Sequence, residues 1–328
     1  MHPETDCIIL IDAYSQIFRG YYAIRSLTNS KNQPTNAIYA FTKFLLKLHH
    51  EYPSSCGAFA FDCGRPAFRM EIAPDYKANR APMPDDLRCQ LPNIKAMAEA
   101  FGWPVFLKEG FEADDLLAGI ANDFPEYPVR IISSDKDLSQ LVDERVKMLV
   151  PDMKSGSMIL RGPEEVIEKF AVAPDKIIDY LSMVGDSSDN IPGVPGIGVK
   201  TAAQLINAYG SISEIIAAPE KVTNEKLRNK IMDNVDLIRK NIDLITLRTE
   251  ISDKPWTSVE SLKRKTPDLK KITAICQEME LKSIIRDLPQ VPEADDLFAS
   301  PKPVVQQSTV ASKPTEPTKF APDLFGDF

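Results

Sequence analysis

The chain has 328 residues, 43% hydrophobic and 26% charged, the balance of an ordinary folded protein. No apolar run reaches the roughly eighteen residues of a membrane span, so no membrane-embedded function is predicted. The net charge of −8 argues at first sight against a nucleic-acid partner.

The N-terminal MHPETDCIILID lacks a basic region and a long apolar stretch, so no secretory signal is predicted. Cys7–Ile11 reads as a short buried strand, Ala37–Leu48 as a helix and Gly57–Phe61 as a second strand. Leu87–Phe101 has the spacing of an amphipathic helix, with Leu91, Ile94, Met97, Ala98 and Phe101 on one face. Pro104–Leu107 reads as a strand, Ala113–Asp123 as a helix, Val129–Ile132 as a strand, Asp137–Leu141 as a short helix and Val146–Val150 as a strand. This alternation predicts an α/β fold with a mostly parallel sheet flanked by helices. From Pro163 to about Ala218 the pattern is helical, broken by Gly and Pro, and Glu225–Leu247 reads as one long helix. The last forty residues, from Pro289, hold seven prolines and no sustained apolar period, the composition of a disordered tail. Its end, Lys319–Phe328, reads first as a plain disordered end, and its apolar Leu324, Phe325 and Phe328 offer a docking motif as the sharper alternative. The expected divisions are residues 1–162, 163–288 and 289–328, and no internal repeat is found.

The five cysteines, Cys7, Cys56, Cys63, Cys89 and Cys276, form no C-x-x-C pair, so reduced thiols in the cytoplasm are expected. Of the three histidines, His49 and His50 sit in a helical run, and the set offers little to a Ser-His-Asp triad.

Carboxylates, by contrast, gather where strands end. Asp12 follows the first strand, Asp62 the second, and Asp135 and Asp137 the strand Val129–Ile132. In a parallel sheet those ends share one edge, where such folds place ligands. Glu112, Asp114 and Asp115 open the helix after Pro104–Leu107, and Asp186 and Asp189 precede a Gly/Pro-rich turn. Each alone could be a helix cap. Nine together repel unless cations neutralise them, and hard ions such as Mg²⁺ or Mn²⁺ suit a site with no His or Cys. Two such ions are the arrangement that cleaves phosphodiesters in line. The tail has three Lys and six Asp/Glu, so the body has 36 basic and 41 acidic residues; without the nine clustered carboxylates its net charge is +4. Nucleic acid thus returns as a partner.

Two segments suit phosphate. Residues 65–84 hold Arg65, Arg69, Lys77 and Arg80 interleaved with Phe68 and Tyr76, cations for phosphates and aromatic faces for unpaired bases. In residues 191–206, Gly193, Gly196 and Gly198 precede Lys200 and a helix. The spacing fails the P-loop test, because Val199 separates the last Gly from Lys200. A helix-hairpin-helix gripping a DNA phosphate through backbone amides is the better reading, with a plain Gly/Pro linker as the alternative.

Five motifs occur in order: F-D-C-G-R-P-A-F-R, Y-K-A-N-R-A-P-M-P-D-D-L, E-A-D-D-L-L, S-S-D-K-D-L-S-Q-L and G-D-S-S-D-N-I-P-G-V-P-G-I-G-V-K-T-A. From about Cys7 to Pro289 the chain resembles the 5′-nuclease domain of bacterial DNA polymerase I and its flap-endonuclease relatives. The resemblance implies a PIN-like fold with a helical arch at residues 65–84. It implies metal-dependent removal of 5′ ends and flaps from branched or nicked duplex DNA, and of RNA primers, by a monomer. One ion would rest on Asp12, Asp62, Glu112, Asp114 and Asp115, the other on Asp135, Asp137, Asp186 and Asp189. Lys77 and Arg80, beside Tyr76, would orient the scissile phosphate, and the hairpin would hold a K⁺ ion. The family's Asp-Gly is here Asp12-Ala13, and its P-T-G-A-x-Y-G is P-T-N-A-I-Y-A, with Asn36 and Ala40 for glycines. A left-handed backbone would be tolerable at Asn36 and costly at Ala40. No polymerase region follows, so a stand-alone nuclease is expected, with Leu324-Phe325 resembling sliding-clamp peptides. Competing readings are a DNA-junction module that no longer cuts and a PIN-type single-strand RNase.

Overall fold

The computed structural model describes residues 7–152 and 157–288. The tail from Pro289, with its predicted disorder and clamp motif, lies outside the described residues. Among these residues no helix is long and apolar enough to cross a membrane.

Six strands form a sheet in the order β3-β2-β1-β4-β5-β6. They are β1 Ile8–Asp12, β2 Cys56–Ala60, β3 Val105–Phe106, β4 Val129–Ile132, β5 Val146–Pro151 and β6 Met158–Arg161. The first five pair in parallel and β6 runs antiparallel at one edge. In β1, Ile8 and Leu10 enter one apolar cluster while Ile9 and Ile11 enter another, so both faces are covered. That double burial is why the strands read as continuous apolar runs.

One face packs on α1 Ala13–Ala23, α2 Asn36–Glu51, α4 Asp85–Arg88, α5 Leu91–Ala100, α13 Leu269–Glu278 and α14 Lys282–Asp287. The other packs on α3 Ala67–Ile72, α6 Ala113–Asp123, α7 Pro163–Phe170, α8 Ile177–Val184, α9 Val199–Tyr209, α10 Ile212–Ala217, α11 Glu225–Met232 and α12 Val235–Ile245. The helical region after residue 162 therefore shares a continuous core with the sheet.

Several elements differ from expectation. Helix α1 was not legible as a helix; Asp12 caps it by accepting from the Ser15 amide at 3.1 Å. The predicted helix Leu87–Phe101 is two helices, α4 and α5, with Gln90 buried between them. The Gln90 side chain accepts from Ile38 N (3.1 Å) and donates to Asn36 Oδ1 (3.0 Å) and Asp86 O (2.8 Å). The single helix Glu225–Leu247 breaks at Asp233–Asn234 into α11 and α12. Residues 65–84 hold one six-residue helix, α3, followed by turns.

The two departures from glycine need no left-handed backbone, because Asn36 and Ala40 both lie in α2. Asn36 donates to the carbonyls of Tyr21 (3.2 Å) and Ile24 (2.8 Å), satisfying the end of α1. Ala40 faces Gly20, where a Cβ would come 2.8 Å from the Ala40 Cβ, so the glycine of this helix crossing sits on α1. Gly20→Ala should destabilise the fold by about 1–3 kcal/mol through overpacking, and Ala40→Gly in that background should restore part of the loss. Chemical denaturation of the four proteins checks this; additive losses would refute the contact.

Candidate active site

The sheet register aligns the ends of β1 and β2, Asp12 opposite Ala60, so Asp12 and Asp62 emerge on the same edge. Parallel pairing of β1 with β4 brings Ser133 and Asp135 beside them. Ser133 Oγ donates to Asp12 Oδ2 at 2.9 Å, and Asp62 Oδ1 accepts from the Ala113 amide at 2.7 Å, tying it to the first turn of α6. Glu112 and Asp114 stand at that same turn. On the other side, the Asp137 amide donates to Asp135 Oδ1 at 2.9 Å. Oxygens of Asp137, Asp186 and Asp189 lie within 4.8 Å of one another.

Burial and nearby carboxylates raise Asp12, Asp114, Asp135 and Asp137. Burial, then the neighbouring Asp62, pushes Asp12 up to about 7. Burial raises Asp114 well above its ordinary range, with Asp135 and Asp12 adding to it. Asp137 is raised in the same way by burial, Asp135, Asp186 and Asp189. Asp135 is raised too, chiefly by burial. Burial also raises Glu112, against the pull of Lys77 and Arg69. Burial alone would raise Asp189, but Lys77 and Arg80 hold it below the usual value.

Four cations face the cluster. Lys77 pairs with Glu112 and lies 3.4 Å from Asp189, Arg80 pairs with Asp189, and Lys136 lies 3.1 Å from Asp186. Arg69 is the fourth, and it corrects an expectation. It is 2% exposed, bonded to Asp115 through both Nη atoms (2.7 and 2.9 Å), to Glu112 Oε2 at 2.8 Å and to the Leu244 carbonyl at 2.9 Å. A guanidinium so enclosed cannot meet a DNA phosphate. Its partner Asp115 is fully buried and also accepts from the amides of Glu112 and Arg248, so it is Arg69's counter-ion rather than an open metal ligand. Breaking such a buried pair costs about 3–5 kcal/mol.

Tyr76 and Phe68 also depart from the base-stacking reading. The Tyr76 hydroxyl bridges Glu112 Oε2 and Asp189 Oδ2, 3.0 Å from each, and its ring is buried. Phe68 is flanked by the guanidiniums of Arg69 and Arg248 at 4.4 and 4.6 Å. Arg65 remains exposed and lines a cavity of about 170 Å³ with Asp62, Tyr76, Lys77, Arg80 and Glu112. Lys136, not singled out from sequence, was marked by its place inside S-S-D-K-D.

The glycine-rich segment is the turn between α8 and α9. Ile197 N donates to Val194 O at 3.0 Å, and Gly196 has φ +75°, the geometry Pro195-Gly196 favours. Gly193 packs against the Val184 carbonyl, where a Cβ would come within 2.1 Å, so its role is close packing. Gly198 begins α9 with no side-chain cap, and Lys200 is exposed on the first turn.

The eight carboxylates other than Asp115 fit hard divalent ions. Among the described residues Asp114 Oδ1 and Asp137 Oδ1 are buried with no hydrogen-bond partner, which is costly unless a cation meets them.

Two family models match, "5′-3′ exonuclease, N-terminal resolvase-like domain" over residues 7–171 and "5′-3′ exonuclease, C-terminal SAM fold" over residues 172–270. The 5′-3′ exonuclease of Aquifex aeolicus is 37% identical over 87% of this chain and 96% of its own length. DNA polymerase I of Thermus caldophilus is 35% identical over 85% of this chain, which spans about 33% of that relative's length. By structure, the T5 D15 protein co-crystallised with metal ions aligns with TM-score 0.63 and 21% identity, covering 85% of this chain and 97% of that one. The catalytic core of Rad2 in complex with DNA substrate aligns with TM-score 0.60 and 16% identity, covering 87% and 94%. Both likenesses establish the fold.

The raised carboxyls have a stability consequence. Asp12 titrates near 7 when folded and near 3.8 when unfolded, so the folded state holds the extra proton between those values. Stability without divalent ions should therefore fall as pH rises through that window. In EDTA the melting temperature should be lower at pH 8 than at pH 5.5. Mg²⁺ should raise it by about 3 °C or more at pH 8 and by less at pH 5.5. An equal Mg²⁺ effect at both values would contradict the assignment.

Proposed function

The chain belongs to the 5′-3′ exonuclease family, and from that premise we propose that it removes 5′ ends and flaps from branched or nicked DNA, and RNA primers from DNA, as a divalent-metal-dependent phosphodiesterase. The observation that carries the reading is the pair of buried, unpartnered oxygens on Asp114 and Asp137 inside one acidic cluster. Neighbours of the same fold that were solved with metal ions or with DNA substrate support it.

Asp12, Asp62, Glu112 and Asp114 would hold one Mg²⁺ and Asp135, Asp137, Asp186 and Asp189 a second, with Mn²⁺ as substitute. Such ions supply an activated water and neutralise the charge of an in-line displacement. Lys77 spans the two halves, facing Glu112 from one and Asp189 from the other. With Arg80 it provides positive charge where a scissile phosphate gains negative charge. Tyr76 fixes Glu112 and Asp189 through its hydroxyl, which burial and then Glu112 and Asp189 keep protonated. Arg69 positions Glu112 and α6. Residues 1–162 would supply most of the metal ligands, and residues 163–288 would add Asp186, Asp189 and the grip on duplex, with the amides at the start of α9 taking a phosphate. A sliding clamp is the partner proposed for Leu324-Phe325.

The retained carboxylates count against a junction module that no longer cuts. Asp12→Asn keeps the shape, and its one acceptor oxygen can keep the Ser15 amide cap, but it removes charge. It should lower flap cleavage by orders of magnitude while leaving DNA affinity within about threefold. Cleavage assays beside fluorescence anisotropy check this; a fully active variant would defeat the assignment.

A further inference from the structure

The hairpin turn carries its own cation. Lys230, on the last turn of α11, donates from Nζ to the Gly196 carbonyl at 2.9 Å. The ammonium lies directly against the turn, since a Cβ at Gly196 would come 2.2 Å from Lys230 Nζ. An ammonium has three donors, and the other two have no protein partner among the described residues. Two residues beyond Gly196, α9 begins at Gly198 with no side-chain cap and open space around it. Lysine charge and uncapped amides thus sit side by side, a pairing suited to a phosphate oxygen.

The K⁺ ion implied for this hairpin would need backbone carbonyl oxygens, and one of the turn's, that of Gly196, already accepts from Lys230. We propose that Lys230 is a built-in replacement for a hairpin-bound monovalent ion. It holds the Gly196 carbonyl and offers its remaining N–H bonds to a backbone phosphate of the duplex. This inference rests on the proposed duplex grip of the helix-hairpin-helix. Its consequence is specific: the grip is insensitive to which monovalent salt is present, beyond general ionic strength.

The test measures affinity for a nicked duplex by anisotropy, with Ca²⁺ in place of Mg²⁺, in KCl or LiCl at equal ionic strength. The intact protein should bind equally, within about twofold, in both salts. Lys230→Met keeps the alkyl stem and should bind on the order of tenfold more weakly in LiCl. In KCl it should regain part of that loss, because the vacated carbonyl can then take K⁺. A thermal melt verifies folding of the variant, which the half-exposed site of Lys230 favours.

Three results would overturn the proposal: an intact protein that requires K⁺, a Lys230→Met variant that binds like the parent, or one equally weakened in both salts. The last would make Lys230 an ordinary phosphate contact. Gly198→Asp separates this from failure of the underlying reading. Its side chain fits the open space but puts a carboxylate where the phosphate would sit. Full binding by Gly198→Asp would remove the hairpin grip itself. Weak binding by Gly198→Asp with normal binding by Lys230→Met would remove only the lysine's role.

Discussion

The structure depends on the repulsion among carboxylates collected at one sheet edge. Asp12, Asp114, Asp135 and Asp137 are all driven upward by burial and by one another. The fold answers with cations drawn from distant sequence. Arg69 and Lys77 come from the segment after β2 to meet Glu112 on α6, and Arg80 and Lys136 meet Asp189 and Asp186. The contacts of Lys77 and Arg80 with Asp189 and of Lys136 with Asp186 fasten the helical region to the sheet. The Lys77 amide also donates to the Asp189 carbonyl at 3.0 Å, and the Asn79 side chain to the Ser187 carbonyl at 2.6 Å.

The cations compensate only in part. Asp114 Oδ1 and Asp137 Oδ1 stay buried and unmatched. Each buried polar atom left without a partner costs about 1–3 kcal/mol. The fixed pairs and the open oxygens divide the labour. Arg69 with Asp115 is closed architecture, whereas Asp114 and Asp137 each keep a buried oxygen that no described residue meets.

Much of this was legible in the sequence because parallel strands have a simple signature. A carboxylate closes or closely follows each of the runs at β1, β2 and β4, and parallel order forces those ends to one edge. Identity of side chain was thus enough to gather the acidic set. The roles of Arg69, Phe68 and Tyr76 were not legible. Local sequence marks them as a basic, aromatic loop; the packing of α3 on α12 turns Phe68 and Arg69 inward, and Glu112 and Asp189 draw in Tyr76. The break at Gln90 was hidden for a similar reason, since the helical pattern continues through it while its side chain serves Ile38 and Asn36, about fifty residues earlier in the chain. Lys230 was invisible because its partner Gly196 lies 34 positions away.

The activity proposed for this acidic edge is cutting of DNA at a junction when divalent ions are present. It is open to a single assay: cleavage of a 5′-labelled double-flap DNA, in Mg²⁺ and in EDTA, beside an unpaired single strand of the same sequence. Cutting at the junction in Mg²⁺, none in EDTA and little on the single strand is the expected result. Binding without cutting in either Mg²⁺ or Mn²⁺ would contradict it, as would cleavage that persists in EDTA.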